Sequence, residues 1–288
     1  MSLMTDKALS KRRHSQITHA KHDPATALAS LFRPKTPGPR PGGLKIDAQF
    51  DGMEISFLVW RALDTRDQSV LLAAIGMAGM DNQELHADVS GERGQQLWLN
   101  LDPKENAVFD RAIVLTTSRY ALIQAAGLDD KGQNYGMLED CLERLSMVGS
   151  RAKKQGYEWS MNLLSWASAP DGKVNIALNG RFAKALGGQY VHVSLDERRR
   201  LHAEAAQLAH AWLSAWCKPG NTQSMSLDKL AEKVWGAPSK NPSTTRSRRD
   251  RINKGLSEIT ELHGWNIKVE GRGQKAKATV RRSRIIDH

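Results

Sequence analysis

The chain has 288 residues, enough for two ordinary domains with separate cores rather than one. With 40% hydrophobic and 25% charged residues and no apolar run near 18 residues, it excludes a membrane span; the basic first 45 residues lack the apolar stretch of a secretory signal, so the cytoplasm is the expected compartment. The net charge of +11 is concentrated at the two ends: residues 1–45 hold nine Lys/Arg against two Asp/Glu and residues 240–288 hold thirteen against five, while 46–239 is slightly acidic. A charge serving solubility alone would be spread out. Two basic ends point to a polyanion, nucleic acid rather than an anionic membrane, because the C-terminal segment lacks the long Trp/Phe/Leu face of an interfacial helix.

Taken in chain order, "RPKTPGPRPGG" (33–43) has four prolines and three glycines in eleven positions and holds neither a helix nor a central strand. Residues 1–45 therefore read as a disordered basic arm ending in a Pro/Gly linker. "DQSVLLAAIGMA" (67–78) places Val70, Leu71, Ala74, Ile75 and Ala78 at helical spacing. "QLWLNL" (96–101) alternates like a strand. "TTSRYALIQAAG" (116–127) has Thr/Ser caps at its start and Gly127 at its end, the signals of a complete helix. "GMLEDCLERLSMVG" (136–149) puts Leu138, Cys141, Leu142, Leu145 and Val148 on one face. "GYEWSMNLLSWAS", "PDGK" and "VNIALN" then read as a hairpin turning at Asp171-Gly172.

A similar order recurs. "LDERRRLHAEAAQLAHAWLSAW" (195–216) predicts one long helix, and "SLDKLAEKVWG" (226–236) a second, capped by Ser226 and closed by Gly236. "STTRSRRDRINKGLSEI" (243–259) predicts a third, beginning after Pro242 at a Ser/Thr cap. Residues 264–282 predict two strands flanking Gly271-Arg272-Gly273. Helix, helix, helix, hairpin is the winged-helix order. The expected fold is α+β: two tandem winged-helix domains preceded by a disordered basic N-terminal arm. The arm and linker cover 1–45, an N-terminal winged-helix domain 46–185, and a C-terminal, DNA-reading one 186–284.

On a helical wheel of 243–259 and the residues after it, Ile252, Leu256, Ile259 and Leu262 form the buried stripe, with Arg246, Ser247, Asp250, Asn253, Lys254 and Ser257 opposite or beside it. A third helix presented by two supporting helices is the element such folds place in the major groove. Arginine suits guanine bidentately, Asn253 suits adenine and Asp250 accepts from cytosine N4, which makes Arg246, Asp250, Asn253 and Lys254 the base-reading candidates. Ser243, Thr244, Arg248, Arg249 and Arg251 are candidates for the DNA backbone, as are Lys268, Arg272, Lys275, Lys277 and Arg281 of the following hairpin, where Arg282 adds to the charge. In the first half the corresponding candidates are Lys131, Gln133, Asn134, Tyr135, Arg151, Lys153 and Lys154. That poorer set fits weaker DNA binding or a dimer or protein contact.

Catalytic and cofactor signatures are missing. No phosphate-binding loop motif occurs, so no cofactor and no ATP-driven activity are expected. "YVHVS" (190–194) offers one histidine where a rolling-circle nickase needs two around a hydrophobic residue. His14, His19 and His22 lie in the basic arm without a second ligand group, which favours contact with DNA over a metal. Asp129-Asp130 and Glu139-Asp140 read as turn and first-turn charges, most of the eight tryptophans as core packing, and Cys141 and Cys217 as buried thiols. The chain is expected not to be an enzyme.

These residues resemble the RepC-type iteron-binding replication initiators of IncQ-like broad-host-range plasmids. The likeness runs through "HAKHDPATALASLFR" (19–33), "EDCLERL" (139–145), "KKQGYEWSMNLLSWAS" (153–168), "DGKVNIALN" (171–179), "LGGQYVHVSLDE" (186–197) and "STTRSRRDRINKGLSEI". It implies a protein that binds directly repeated sequences in double-stranded origin DNA, helps open the adjacent AT-rich duplex and admits the plasmid-encoded helicase and primase. The family pattern carries onto Ser243, Thr244, Arg246, Arg248, Arg249 and Arg251; the sequence departs from it at Asp250, Asn253 and Lys254, which implies a different target repeat. A transcriptional repressor binding a palindromic operator as a dimer has the same sequence features, and the residues leave monomer and homodimer open.

Overall fold

The computed structural model describes residues 17–81, 83–88 and 91–284. The charges expected of the first 16 residues, His14 among them, lie outside it. From the N-terminal side the chain forms β1 (His19–His22), α1 (Pro24–Leu28), β2 (Gly42–Phe50), β3 (Met53–Arg61), α2 (Thr65–Asp81), β4 (Gln83–Leu85), α3 (Glu92–Asn100), β5 (Lys104–Glu105) and β6 (Ala112–Ser118). Next come α4 (Arg119–Ala125), α5 (Gly132–Ser146), β7 (Val148–Lys154), β8 (Tyr157–Asn162), β9 (Leu164–Ser168), β10 (Lys173–Leu178), α6 (Gly180–Gly187) and β11 (Val191–Ser194). The remainder is α7 (Leu195–Arg200), α8 (Glu204–Trp216), β12 (Thr222–Ser226), α9 (Leu227–Trp235), α10 (Pro242–Thr260), β13 (Trp265–Glu270) and β14 (Lys277–Arg282). The fold is mixed α+β. No described helix is long and apolar enough to cross a membrane.

Helix α2 is the centre of the first half. It buries Val70 through Ile75, Met77 and Ala78, so it is apolar around its circumference rather than on the single face that periodicity suggests. It packs against β1, β6, α4 and α5; the strands form a five-stranded sheet of order β2-β3-β7-β8-β5, a four-stranded sheet of order β4-β6-β10-β9, and the pair β1-β11.

The sheet β12-β14-β13 repeats the order of β6-β10-β9: in each the last strand in sequence is inserted between the other two. Each trio is also laid down along one path. A core helix (α2 or α8) precedes the first strand, two helices follow (α4 and α5, or α9 and α10), and two strands complete the sheet. A serine ends the first strand and caps the next helix in both: Ser118 Oγ accepts from Ala121 N at 3.1 Å, and Ser226 Oγ from Lys229 N at 3.2 Å. In the first trio β4, α3 and β5 lie between α2 and β6, and the antiparallel pair β7-β8 is inserted between α5 and β9 and joins the other sheet.

Several sequence expectations need correction. Residues 17–45 are not a flexible arm: β1 pairs with β11, and Ile17, Ala20, Ala25, Ala29, Leu31 and Phe32 are buried. Charge and prolines marked the segment as exposed, but its apolar residues are enough to seat it against α2 and α8. "QLWLNL" is helical: it forms the last turn of α3 and its C-cap, Leu101. Leu97 and Leu101 are one turn apart and both buried, while Leu99 is 67% exposed, so the apparent alternation has period four. Of the Thr/Ser start expected for the helix at 116–127, Ser118 is the cap and the helix ends before Gly127 as expected, but Thr116 and Thr117 are strand, because the β-branched run Ile113, Val114, Thr116, Thr117 pairs with β10. The hairpin expected to turn at Asp171-Gly172 is present as β9-β10, but its first strand is shorter than expected: the run 156–168 divides at Leu163, and β8 pairs with β7 instead. The long helix from 195 breaks at Leu201, and the carboxylate of Glu258 accepts from His202 N (2.8 Å) and Ala203 N (3.2 Å) where α8 begins. Neither expected domain boundary falls between elements: 45/46 cuts β2 and 185/186 cuts α6.

Candidate nucleic-acid interface

The outward face of α10 is set by what holds its inner face. Asn241, not a Ser/Thr, is the cap: its Oδ1 accepts from Ser243 N at 2.8 Å and Thr244 N at 3.4 Å, and Pro242 takes the first helical position, where a missing N–H costs nothing. Ile252, Leu256, Ile259 and Leu262 are buried as the wheel predicts. Gly255 joins them because the helix crosses α8 at this point; a Cβ there would stand 3.0 Å from Ala206 N and 3.1 Å from its Cα. Arg246, Ser247, Asp250, Asn253, Lys254 and Ser257 are consequently exposed along one side. Among the described residues the side chains of Arg246, Asp250, Asn253 and Lys254 have no protein partner, so donors and acceptors are free along this face. Ser243 and Thr244 are exposed on the first turn.

The arginines beside that face do three different things. Arg249 is engaged by Asp228 of α9 in a two-pronged ion pair, Nε at 3.0 Å and Nη2 at 2.8 Å, so it fastens the two helices together instead of standing free for phosphate. Arg248 donates from Nη1 to Ala237 O at 2.8 Å and stacks 5.5 Å from the Trp235 ring centre. Arg251 is exposed and lies 5.1 Å from the same ring.

In the hairpin β13-β14, Arg272, Lys275, Lys277 and Arg281 are exposed, and Lys268 pairs with Glu270 at 2.7 Å. Arg282 is not part of this surface. It is buried, donates from Nη1 to Ser214 O and Cys217 O at 3.2 Å each, and stacks 4.4 Å from the Trp265 ring centre. Counting its charge with the rest of the hairpin overlooked the strand period, which puts Arg282 on the inward face with Ala278 and Val280.

The first copy is differently equipped. At the start of α5, Lys131 pairs with Asp129 at 2.8 Å, Asn134 Nδ2 donates to Asp129 O at 2.6 Å and Tyr135 Oη donates to Asp130 Oδ1 at 2.9 Å; Gln133 is exposed and has no partner among the described residues. The acidic pair 129–130 thus occupies three of the four candidates. Arg151 and Lys153 share Glu158 (2.8 and 2.6 Å), and Lys154 approaches Asp51 at 3.5 Å. These three sit on β7, in the five-stranded sheet, whereas the counterpart of β13-β14 is β9-β10. They therefore lie in a different sheet from the strands that correspond to β13-β14.

Of the described histidines of the N-terminal segment, His22 is buried and His19 is exposed. The His22 pKa is lowered to about 4 by desolvation, against the opposing pull of Asp23. His19 stacks on His192 at 4.6 Å. Among the described residues no three His, Cys, Asp or Glu side chains are grouped to hold a metal ion. Cys141 and Cys217 are free and buried.

One basic residue that sequence order did not place here is Arg33. Its guanidinium lies directly on Gly236, the residue that ends α9. Nothing local in "RPKTPGPRPGG" signals this, because the contact spans the whole intervening chain.

A family model described as Replication protein C (RepC) matches residues 14–280. Two solved structures have a similar fold. A crystal structure of domains 2 and 3 of RctB, from a selenomethionine derivative, aligns with TM-score 0.50 and 11% identity over 87% of this chain and 94% of that one. A second crystal structure of RctB domains 2–3 aligns with TM-score 0.50 and 12% identity over 89% and 95%. No curated protein sequence matches the chain.

Proposed function

Given that the chain belongs to the RepC family of replication proteins and is a replication initiator, we propose that it acts by reading directly repeated sequences in double-stranded plasmid origin DNA, through two winged-helix units in one chain. The carrying observation is the pair of strand trios of identical order, each with two helices between its first and second strands, of which the second helix, α5 or α10, is the one a winged helix presents to the major groove. In the C-terminal unit Arg246, Asp250, Asn253 and Lys254 of α10 are the base-reading set. Arg272, Lys275, Lys277 and Arg281 lie along the adjoining backbone and make binding strongly salt-dependent. The N-terminal unit grips DNA more weakly, since acidic neighbours occupy most of its basic candidates.

In this reading the protein is not an enzyme and uses no cofactor. Several copies on adjacent repeats bend and underwind the duplex, so that binding free energy opens weakly stacked steps nearby. The resemblance to IncQ-type initiators supports admission of the plasmid-encoded helicase and primase at that opening, and the cytoplasm as the compartment. Incubation with supercoiled DNA and Mg²⁺ or Mn²⁺ leaves the DNA unnicked if this is right; nicking abolished by one point substitution contradicts it.

The deciding experiment is selection from random duplex DNA by the purified chain at two salt concentrations, followed by sequencing. An asymmetric motif spanning about two helical turns, recurring as tandem copies in its plasmid, supports the proposal. A palindrome supports a dimeric repressor instead. No enrichment, with binding that collapses as salt rises, reduces α10 to an electrostatic grip.

A further inference from the structure

The turn between α9 and α10 carries more positive charge than its own unit supplies. Gly236 ends α9 in the left-handed region, φ +74°, and the space a side chain would fill is taken by Arg33: a Cβ there would lie 2.6 Å from Nε and 2.7 Å from Nη2. Arg33 is held in place from both units. Its own N–H donates to Leu63 O at 2.9 Å, Lys35 N donates to Glu204 Oε2 at 3.1 Å, and Trp212 Nε1 donates to Leu28 O at 3.2 Å.

Arg248 and Arg251 approach the same turn from α10, 5.5 and 5.1 Å from the Trp235 ring. Between them in sequence, Arg249 has Asp228 as its counterion. Among the described residues, no carboxylate pairs with Arg33, Arg248 or Arg251, and Arg33 Nε is buried without a partner. Burial and the charge of Arg248 both lower the Arg33 pKa, and burial and Arg251 do the same to Arg248. Guanidinium groups gathered without an anion repel one another, and a planar fork of N–H donors matches phosphate geometry.

We propose that Arg33, with Arg248 and Arg251, holds one phosphate of the DNA backbone beside the first turns of α10, so that a residue of the N-terminal segment belongs to the C-terminal unit's DNA interface. The proposal rests on the reading of α10 as DNA-facing. Its consequence is that the segment tying the two units together is itself clamped when DNA binds.

The test is a salt series of duplex binding by fluorescence anisotropy, using full-length wild type, Arg33→Ala, Arg33→Gln and Arg33→Lys on random-sequence and selected duplexes, with the melting temperature of each DNA-free protein. Both neutral variants are expected to bind every duplex roughly 5- to 10-fold more weakly at low salt, with the slope of log K against log salt reduced by about 0.9, the value of one lost phosphate contact. Arg33→Lys retains the slope. Should Arg33→Ala fail to fold, Arg33→Gln, which keeps most of the packing on Gly236, decides the matter. Wild-type binding with unchanged slopes in the neutral variants overturns this proposal alone. A wild type without salt-dependent duplex binding overturns the reading of α10 and this proposal with it.

Discussion

Arg249 and Asp228 face each other across the α9–α10 junction with two parallel contacts, Nε to Oδ1 at 3.0 Å and Nη2 to Oδ2 at 2.8 Å. The guanidinium is largely buried, so deleting either partner leaves a half-buried charge uncompensated. Arg249→Ala and Asp228→Ala should each lower stability by about 1–3 kcal/mol, and the double variant by less than their sum. Urea denaturation of the three proteins checks this; additive losses would show that the pair is not coupled.

The exposed face of α10 and the hairpin after it should fail in different ways. Arg246→Ala is expected to weaken specific binding by about 1–3 kcal/mol and to relax preference at one base position, while Lys277→Ala weakens all duplexes alike and flattens the salt slope. Titrations of selected and random duplexes at several salt concentrations separate the two. Equal effects on both DNAs from both variants contradict the division into reading helix and backbone-following hairpin.

Gly255 lies where α10 crosses α8, with Ala206 backbone atoms 3.0 and 3.1 Å from the place of its missing Cβ. On propensity alone Gly→Ala in a helix gains roughly 0.5–1 kcal/mol. Here Gly255→Ala should show no such gain, and Gly255→Val should lower stability by about 2 kcal/mol through overpacking. Thermal melting of both variants measures it, and a stabilised alanine variant would mean that the two helices separate freely.

Stability should also fall on mild acidification. His22 is held neutral by burial, its pKa lowered from 6.5 to about 4 in the folded protein. Between those values the unfolded chain binds a proton that the folded chain refuses, so stability is full above pH 6.5 and declines as pH falls toward 4, by at most about 3 kcal/mol from this group. Denaturation curves between pH 7 and 4.5 should show that decline in the wild type and a flatter profile in His22→Gln.

The sequence by itself determined the parts whose signals are local. The stripe Ile252, Leu256, Ile259, Leu262 fixed which side of α10 faces the protein, and hence that Arg246, Asp250, Asn253 and Lys254 face away. Ser226 and Gly236 fixed both ends of α9, and alternation about Gly271 and Gly273 fixed the final hairpin. Each depends on residues a few positions apart, where side-chain period and capping chemistry act directly. What only the tertiary structure decided depends on partners far along the chain. Thr116 and Thr117 become strand because β10 lies beside them, and "QLWLNL" becomes helix because its buried leucines find a core one turn apart. Which arginines stand free was equally hidden: Arg249 meets Asp228, and Arg33 crosses from the N-terminal segment to Gly236. A charge in a sequence carries no record of its counterion, because ion pairing is set by which surfaces the packed core brings together.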